Sequence, residues 1–371
     1  MKRVWLVIAL TIQIICVYPL AAQDTSDTVI TGATLIDGTG NAPLPNSVVI
    51  IRNGSVQAVG QVGKLPYPAS AKVIDANGKF IIPGLFDSHV HYRDWVGELF
   101  LAYGITSVID MGNPVDWVRA QKEAIEKGKI VGPRIFASGD ALGQRFRNVS
   151  GDLSPQNLEQ VRKSVRNNIA QGASHISVTV TTDPRAVPAI IDEAHKAGVP
   201  VSAYTMYPKE QIGSGLDALQ HSYSLSAGSK RDPGILEAIR NEANRDDTPR
   251  YAKHPLNYLV DAEPSDFIQL LANRKIYIIP SMIFEYKLFN DHRAEFERQN
   301  LELLQNRGLR YVNYEDYFLQ LTSSTQYGIP RLGGPGFFGT IDFESAEFKK
   351  YQQSYRNLQK LWASPSLAAG S

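Results

Sequence analysis

The sequence predicts an α/β fold: a (β/α)8 TIM-like barrel, incomplete at its eighth strand, preceded by a small N-terminal β-sandwich portion. Short apolar strands alternate with amphipathic helical stretches over most of the 371 residues, and strand–helix alternation favours a parallel sheet. A strand ending in two closely spaced histidines opens that series, and short strands with turn residues precede it. From the alternation alone, a doubly wound open sheet remains the alternative.

Residues 23–80 are predicted to form the β-sandwich portion. The segments 28–40, 47–60 and 71–84 are apolar or alternating, and they are separated by Gly, Asn and Pro, which is typical of short strands joined by turns. Asn53-Gly54 stands between two apolar runs, and this dipeptide is a strong signal for a hairpin turn.

Residues 81–371 are predicted to form the barrel, interrupted by an insertion at about 284–362. The first strand ends at the histidine pair, and six more candidate strands cover 105–111, 134–138, 175–180, 199–205, 218–222 and 276–283. Two helices between them show apolar residues at a helical period. These stripes are Leu158, Val161, Val165 and Ile169, and Val187, Ile190, Ile191 and Ala194.

Residues 1–22 have the pattern of a secretory signal peptide. A basic start, an apolar run over 4–17 and a small-residue end at Ala22 predict cleavage and export to the periplasm or the extracellular space. A membrane anchor is the alternative, although the run is short and contains Thr11 and Gln13. The single cysteine, Cys16, lies in this leader, so a mature chain has no disulfide or thiolate ligand.

The nearly balanced charge, formally +1, gives no indication of a nucleic-acid partner. No membrane partner is expected after cleavage of the leader, and the oligomeric state is left open.

His89 and His91 are the first candidate metal ligands. Side chains two apart on a strand share a face, so the two imidazoles are placed to bracket one divalent ion. The alternative is a pair of ordinary histidines at a strand end.

The residues around the pair add a family resemblance. The sequence Ile-Asp, Asn-Gly-Lys, Pro-Gly, Asp-x-His-x-His over 74–91 resembles the metal-dependent amidohydrolase superfamily, and within it the imidazolonepropionase and dipeptidase-like branch. The resemblance is close over 31–91 and collinear to about residue 283. It favours the barrel and implies hydrolysis of a small-molecule amide with up to two divalent ions, expected to be zinc.

Carried over residue by residue, the resemblance gives an incomplete ligand set. His221 in GLDALQHSYS occupies a ligand position, as do His89 and His91. Ser177 stands where the family has a bridging lysine, and Tyr204 stands where it has a histidine. The chain ends one residue short of the aspartate expected after the eighth strand. A truncated sequence or a divergent barrel are both compatible with this pattern, and no catalytic residue is assigned.

Other residues are candidates for the pocket. His175 is expected inside the barrel, and Asp183 is expected either at its mouth or as the cap of a helix starting at Pro184. The insertion has Tyr and Phe residues that suit a lid or a helical excursion on the barrel wall.

Two functions therefore remain open. One is a metal-dependent hydrolase acting on a cyclic or dipeptide-like amide. The other is a catalytically degenerate barrel, a pseudoenzyme or a fragment, that binds a small ligand without turnover.

Overall fold

The structure is a computed structural model of the whole chain. It describes residues 27–143, 156–228 and 265–281, together with the single positions 295, 298, 299, 302 and 349. The chain divides into two compact units, Met1–Pro83 and Gly84–Ser371.

The first unit consists of short strands, as its turn-rich sequence predicts. Its described strands are β1 (Thr28–Thr31), β2 (Thr34–Leu35), β3 (Ser47–Arg52), β4 (Ser55–Gln61), β5 (Lys72–Asp75) and β6 (Phe80–Ile81). One sheet has the order β4-β3-β1-β5, and β2 pairs with β6 in a second sheet. Val29, Val48 and Ile50 form a small buried core with their neighbours.

The predicted hairpin at Asn53-Gly54 is confirmed. β3 and β4 pair antiparallel up to Arg52↔Ser55, and the two turn residues have φ values of 51° and 72°. Both lie in the left-handed region, as a type I′ turn requires, and Asn and Gly are the residues that adopt it most readily.

The second unit contains seven described strands, all in parallel pairs. They are β7 (Leu85–Val90), β8 (Ile105–Asp110), β9 (Arg134–Ala137), β10 (Ile176–Val178), β11 (Val201–Ala203), β12 (Ala218–Gln220) and β13 (Tyr277–Ile279). One sheet has the order β7-β8-β9 and another the order β10-β11-β12-β13. An isolated parallel β-bridge pairs Leu142, which follows β9 in the chain, with Val178 at the end of β10.

Seven helices are described in the same unit. They are α1 (Gly97–Ala102), α2 (Val115–Glu126), α3 (Leu158–Ala170), α4 (Val187–Lys196), α5 (Pro208–Gly213), α6 (His221–Gly228) and α7 (Ser265–Arg274). Their apolar faces and the strands share one large buried core. Glu193 of α4 accepts hydrogen bonds at 3.0 Å from Arg162 and Arg166 of α3, which fastens these two helices together.

In the ranges that the structure describes, no helix has both the length and the apolar character needed to cross a bilayer.

The predicted strands are present but shorter than the sequence indicated. The strand predicted at 175–180 covers only Ile176–Val178. After it, the backbone amide and hydroxyl of Thr179 and the hydroxyl of Thr182 all donate to the carbonyl of Leu142. The helix expected at Pro184 begins at Val187.

The α/β architecture is thus observed, whereas the closed barrel is not. Within the described ranges, the seven strands of the second unit form two separate sheets. The eighth strand and most of the insertion at 284–362 lie outside the described residues, as does the leader at 1–22. The (β/α)8 closure and the sandwich therefore stay predictions.

Candidate active site

Three histidine rings from two distant segments of the chain lie together at the carboxyl ends of the strands. The ring centroids of His89 and His91 are 5.5 Å apart, and those of His89 and His221 are 4.5 Å apart. His89 lies next to the last residue of β7, His91 follows that strand, and His221 follows β12. The structure therefore brings together all three residues predicted as metal ligands.

The backbone at His221 is in an uncommon conformation. Its φ is 62°, in the left-handed region that a non-glycine residue seldom adopts. The amide of the next residue, Ser222, donates to the carbonyl of Pro280 at 3.0 Å, which fixes the turn against the end of β13. Such local strain is often found at functional sites, and here it places the imidazole beside His89.

Burial keeps the rings of His89 and His221 neutral. Desolvation, followed by the nearby charges of His221, His91 and His175, lowers the pKa of His89 to about 2. Burial and the charge of His91 lower the pKa of His221 to about 4. Neutral imidazoles have a free nitrogen lone pair, which is the form that binds a metal ion.

Tyr204 lies on the other side of His221. The two ring centroids are 4.7 Å apart, and that of Tyr223 is 5.2 Å from Tyr204. Burial raises the pKa of the Tyr223 phenol far above its usual range, so this hydroxyl stays protonated. The site therefore has an aromatic wall where the family resemblance implies a further imidazole.

A closed polar network lies below the cluster. Gln220 donates its amide to the hydroxyl groups of Ser177 at 3.0 Å and Ser202 at 2.5 Å. Ser202 shares a 2.6 Å hydrogen bond with His175. All four side chains are buried, so Ser177 and His175 belong to a satisfied interior network. Sequence reasoning missed Gln220 and Ser202, although Gln220 directly precedes His221.

Asp183 is paired with its neighbour Arg185. Its carboxylate accepts hydrogen bonds from the backbone amide and the guanidinium of Arg185, which lowers the pKa of Asp183. It therefore stabilises the turn before α4. His195, on α4, binds Asp217 at 2.8 Å, whereas His254 and His292 lie outside the described residues.

Asp110 is a further residue near the cluster that sequence reasoning missed. It ends β8, is fully buried, and accepts a hydrogen bond from the amide of Tyr92, directly after His91. An acidic residue closing the apolar run Ile105–Asp110 was the available signal, because buried carboxylates are rare unless they have hydrogen-bond donors.

The donor types suit a divalent ion, but the described set is incomplete. His89 Nδ1 is buried and has no hydrogen-bond partner among the described residues, as expected of an atom reserved for a ligand. However, no group of three or more His, Cys, Asp or Glu side chains in the described ranges is arranged to hold an ion. The cluster can supply imidazole ligands, and completing a site needs further groups or a rotation of the rings.

Comparisons with known proteins agree with this picture. The model of the Amidohydrolase family matches residues 80–210, which span β7 to α5. A solved amidohydrolase structure is similar with a TM-score of 0.56 at 18% identity, covering 93% of this chain and 76% of that one. At this identity, the likeness concerns the fold alone.

Two curated enzymes are similar over shorter stretches. The imidazolonepropionase of Idiomarina loihiensis is 38% identical over 69 residues, 19% of this chain and 17% of that enzyme. The N-acyl-D-aspartate deacylase of Alcaligenes xylosoxydans xylosoxydans is 26% identical over 194 residues, 50% of this chain and 38% of that enzyme. The chain thus matches well under half the length of either relative.

Proposed function

We propose that the chain is a member of the amidohydrolase superfamily, whose family model matches residues 80–210, and that it is a hydrolase acting on a carbon–nitrogen bond of a small-molecule amide. The observation that carries the proposal is the convergence of His89, His91 and His221 at one rim of the parallel strands. In barrels of this kind, the carboxyl ends of the strands hold the chemistry.

The three imidazoles would hold a divalent ion, for which zinc is the expected metal, with the remaining ligands coming from residues outside the described ranges. When bound, such an ion polarises a carbonyl group and makes a bound water more acidic. His89 and His221 are suited to this role because their depressed pKa values keep them neutral over the physiological range.

The surrounding residues shape the place where an amide would lie. The ring of Tyr204 lies against one side of His221, and Tyr223 packs in turn against Tyr204. The Gln220 side chain and the hydroxyl groups of Ser177 and Ser202 are already hydrogen-bonded to one another, so they do not compete for the substrate. The substrate class this supports is a cyclic or dipeptide-like amide, in agreement with the deacylase and imidazolonepropionase relatives.

The test combines metal content with turnover. The full chain should be purified without chelators, its zinc measured by elemental analysis, and hydrolysis assayed on cyclic amides, N-acyl amino acids and dipeptides with added zinc or manganese. Metal-dependent turnover that is lost in His89→Ala and His221→Ala supports the proposal. His195→Ala is the matched control, because this histidine lies on α4 and contacts Asp217 rather than the cluster.

One observation favours the second candidate, a degenerate barrel that binds a small ligand without turnover. Ser177 is committed to Gln220, and Tyr204 offers a phenol instead of an imidazole. A protein that contains no metal, gains none on addition of zinc and hydrolyses none of the amides would overturn the hydrolase and support this binder.

We further propose that the protein is exported after cleavage at Ala22, a position outside the described residues. The support is the sequence pattern of residues 1–22. N-terminal sequencing of the protein recovered from a periplasmic fraction should start at Gln23, and retention in the cytoplasm with Met1 in place would contradict export.

A further inference from the structure

A buried carboxylate holds the peptide that follows His91. Asp110 is 0% exposed, and its two oxygens accept three hydrogen bonds. The amide of Tyr92 donates at 2.8 Å, the amide of Asn113 at 3.1 Å, and the Nδ2 of Asn113 at 2.6 Å. A buried carboxylate with three donors of this kind is held in one orientation.

These bonds begin where the strand ladder ends. The last backbone link between β7 and β8 is the bond from the Met111 amide to the Val90 carbonyl at 2.8 Å. Beyond it, the carbonyl of Tyr92 accepts from Asn113 Nδ2 at 3.0 Å. Side chains therefore satisfy both backbone groups of Tyr92, which a ladder would otherwise satisfy.

The consequence falls on His91 because of peptide geometry. The amide N–H of Tyr92 lies in the planar peptide unit that also contains the carbonyl of His91. The hydrogen bond from that N–H to Asp110 restrains the orientation of this peptide plane, and thereby the ψ angle of His91, on which the direction of its side chain depends.

The ring of Tyr92 anchors the other side of the chain. It is 1% exposed and stacks with Phe100 at 6.1 Å between centroids. Its hydroxyl lies so close to Gly97 and Gly132 that a Cβ on either residue would come within 2.7 Å and 3.0 Å of it. Close packing around the Tyr92 ring thus restrains the backbone next to His91, whose ring centroid lies 5.5 Å from that of His89.

We propose that Asp110 is a positioning residue for His91: through the Tyr92 amide it aims this imidazole at His89. The part of the proposal that concerns metal binding rests on the proposed function, whereas the orientation of the ring does not. Groups that orient metal ligands typically change metal affinity about 10–100-fold when they are removed.

Two substitutions separate geometry from charge. Asp110→Ala removes every acceptor for the Tyr92 amide. Asp110→Asn keeps one side-chain oxygen as the acceptor for the Tyr92 amide and for Asn113 Nδ2. It removes the negative charge, and its new NH2 group faces the backbone amide of Asn113, which loses its acceptor. If hydrogen-bond geometry positions His91, Asp110→Asn should retain the orientation that Asp110→Ala loses.

Asp27→Asn is the matched control for loss of a buried carboxylate. Asp27 is 6% exposed and binds Arg52 at 2.5 and 2.7 Å, but it belongs to the first unit. It tests whether destabilisation in general disturbs the histidine cluster.

The primary measurement needs no metal. In the full metal-free chain, deuterated except for its histidines, a nuclear Overhauser effect between the His89 and His91 rings reports their proximity, with assignments from His89→Gln and His91→Gln. We expect the effect in the wild type, Asp110→Asn and Asp27→Asn, and its loss in Asp110→Ala. An effect that persists in Asp110→Ala, is equally lost in Asp110→Asn, or is absent from the wild type overturns the proposal.

If Asp110→Ala does not fold, Asn113→Ala is the second variant. It removes one of the donors to Asp110 and the donor to the Tyr92 carbonyl, so the effect between the rings should weaken. An unchanged effect would contradict the proposal.

Zinc titration of the same proteins tests the metal-dependent part. A dissociation constant raised about 10-fold or more in Asp110→Ala, but unchanged in Asp27→Asn, supports the positioning role. A wild type that binds no zinc defeats the proposed function, and the ring measurement still decides the role of Asp110. If Asp110→Ala binds zinc with the same affinity as the wild type, Asp110 is not important for the metal site.

Discussion

At the scale of single residues, burial decides the protonation of the histidines around the site. His175 is 6% exposed and hydrogen-bonded to Ser202, and desolvation lowers its pKa to about 4. The ring is therefore neutral in the folded protein at pH values where the unfolded chain has already bound a proton, because a free histidine titrates near 6.5. In acid, protonation of His175 therefore favours the unfolded state.

This preference predicts the pH dependence of stability. The unfolded state binds more protons between about pH 6.5 and 4, so the free energy of unfolding should fall as the pH decreases through that window. His175→Gln removes the titrating ring and retains a polar partner for Ser202. Between pH 7 and pH 4.5, urea unfolding should show a loss smaller by about 2 kcal/mol in the variant than in the wild type. An identical pH dependence of the two proteins would contradict the assignment.

Gln220 supports a second residue-scale prediction. Its amide supplies donors to the buried hydroxyl groups of Ser177 and Ser202. Gln220→Leu leaves these hydroxyl groups without that donor, and it should lower the free energy of unfolding by about 1–3 kcal/mol. Gln57→Leu on the exposed face of β4 is the control and should change it by less than about 0.5 kcal/mol. Urea unfolding measures both, and equal effects would show that the interior network contributes nothing specific.

At the scale of elements, the sequence predicts which strands and helices exist better than it predicts where each one begins and ends. The apolar runs and the 3.6-residue stripes locate the strands and helices because these signals are local. The ends depend on partners far along the chain. Directly after β10, Thr179 and Thr182 bind the Leu142 carbonyl, and nothing within 175–180 indicates those contacts.

The same distinction holds for the site. His89 and His91 could be predicted because a short motif contains both, and His221 because its surroundings resemble a known ligand segment. Asp110, Asn113 and Gln220 could not, since their roles depend on neighbouring strand ends that only the fold brings together. The Amidohydrolase family model matches residues 80–210, which contain the motif, whereas the completeness of the site depends on residues outside the described ranges.

The β3–β4 hairpin gives a prediction at this scale. Gly54 has a φ of 72°, and a Cβ added to it would meet no heavy atom within 4 Å, so an alanine there has space but is strained by its backbone. Gly54→Ala should destabilise the first unit by about 1 kcal/mol. Gly213→Ala in α5, which also has open space and no positive φ, should be neutral or stabilising by up to about 1 kcal/mol. Thermal unfolding of both variants decides, and equal shifts would contradict the turn assignment.

At the scale of the whole molecule, the histidine cluster links distant parts of the second unit. β7 provides His89, and α6, more than a hundred residues later, begins with His221. A ligand that binds both rings can do so only when β7 and β12 are folded together. Binding at the cluster should therefore stabilise the folded unit, because the unfolded chain does not hold these rings in one place.

Zinc is the probe for this linkage. At a free zinc concentration of about 100 times the dissociation constant, binding adds about 2.7 kcal/mol to the free energy of unfolding, which corresponds to a rise of several degrees in Tm. His91→Ala and His221→Ala should lose this rise, whereas His195→Ala should keep it because His195 contacts Asp217 rather than the cluster. Differential scanning calorimetry with zinc and with a chelator measures the effect. A rise that persists without His91 and His221 would place the ion elsewhere, and the cluster would then not be the metal site.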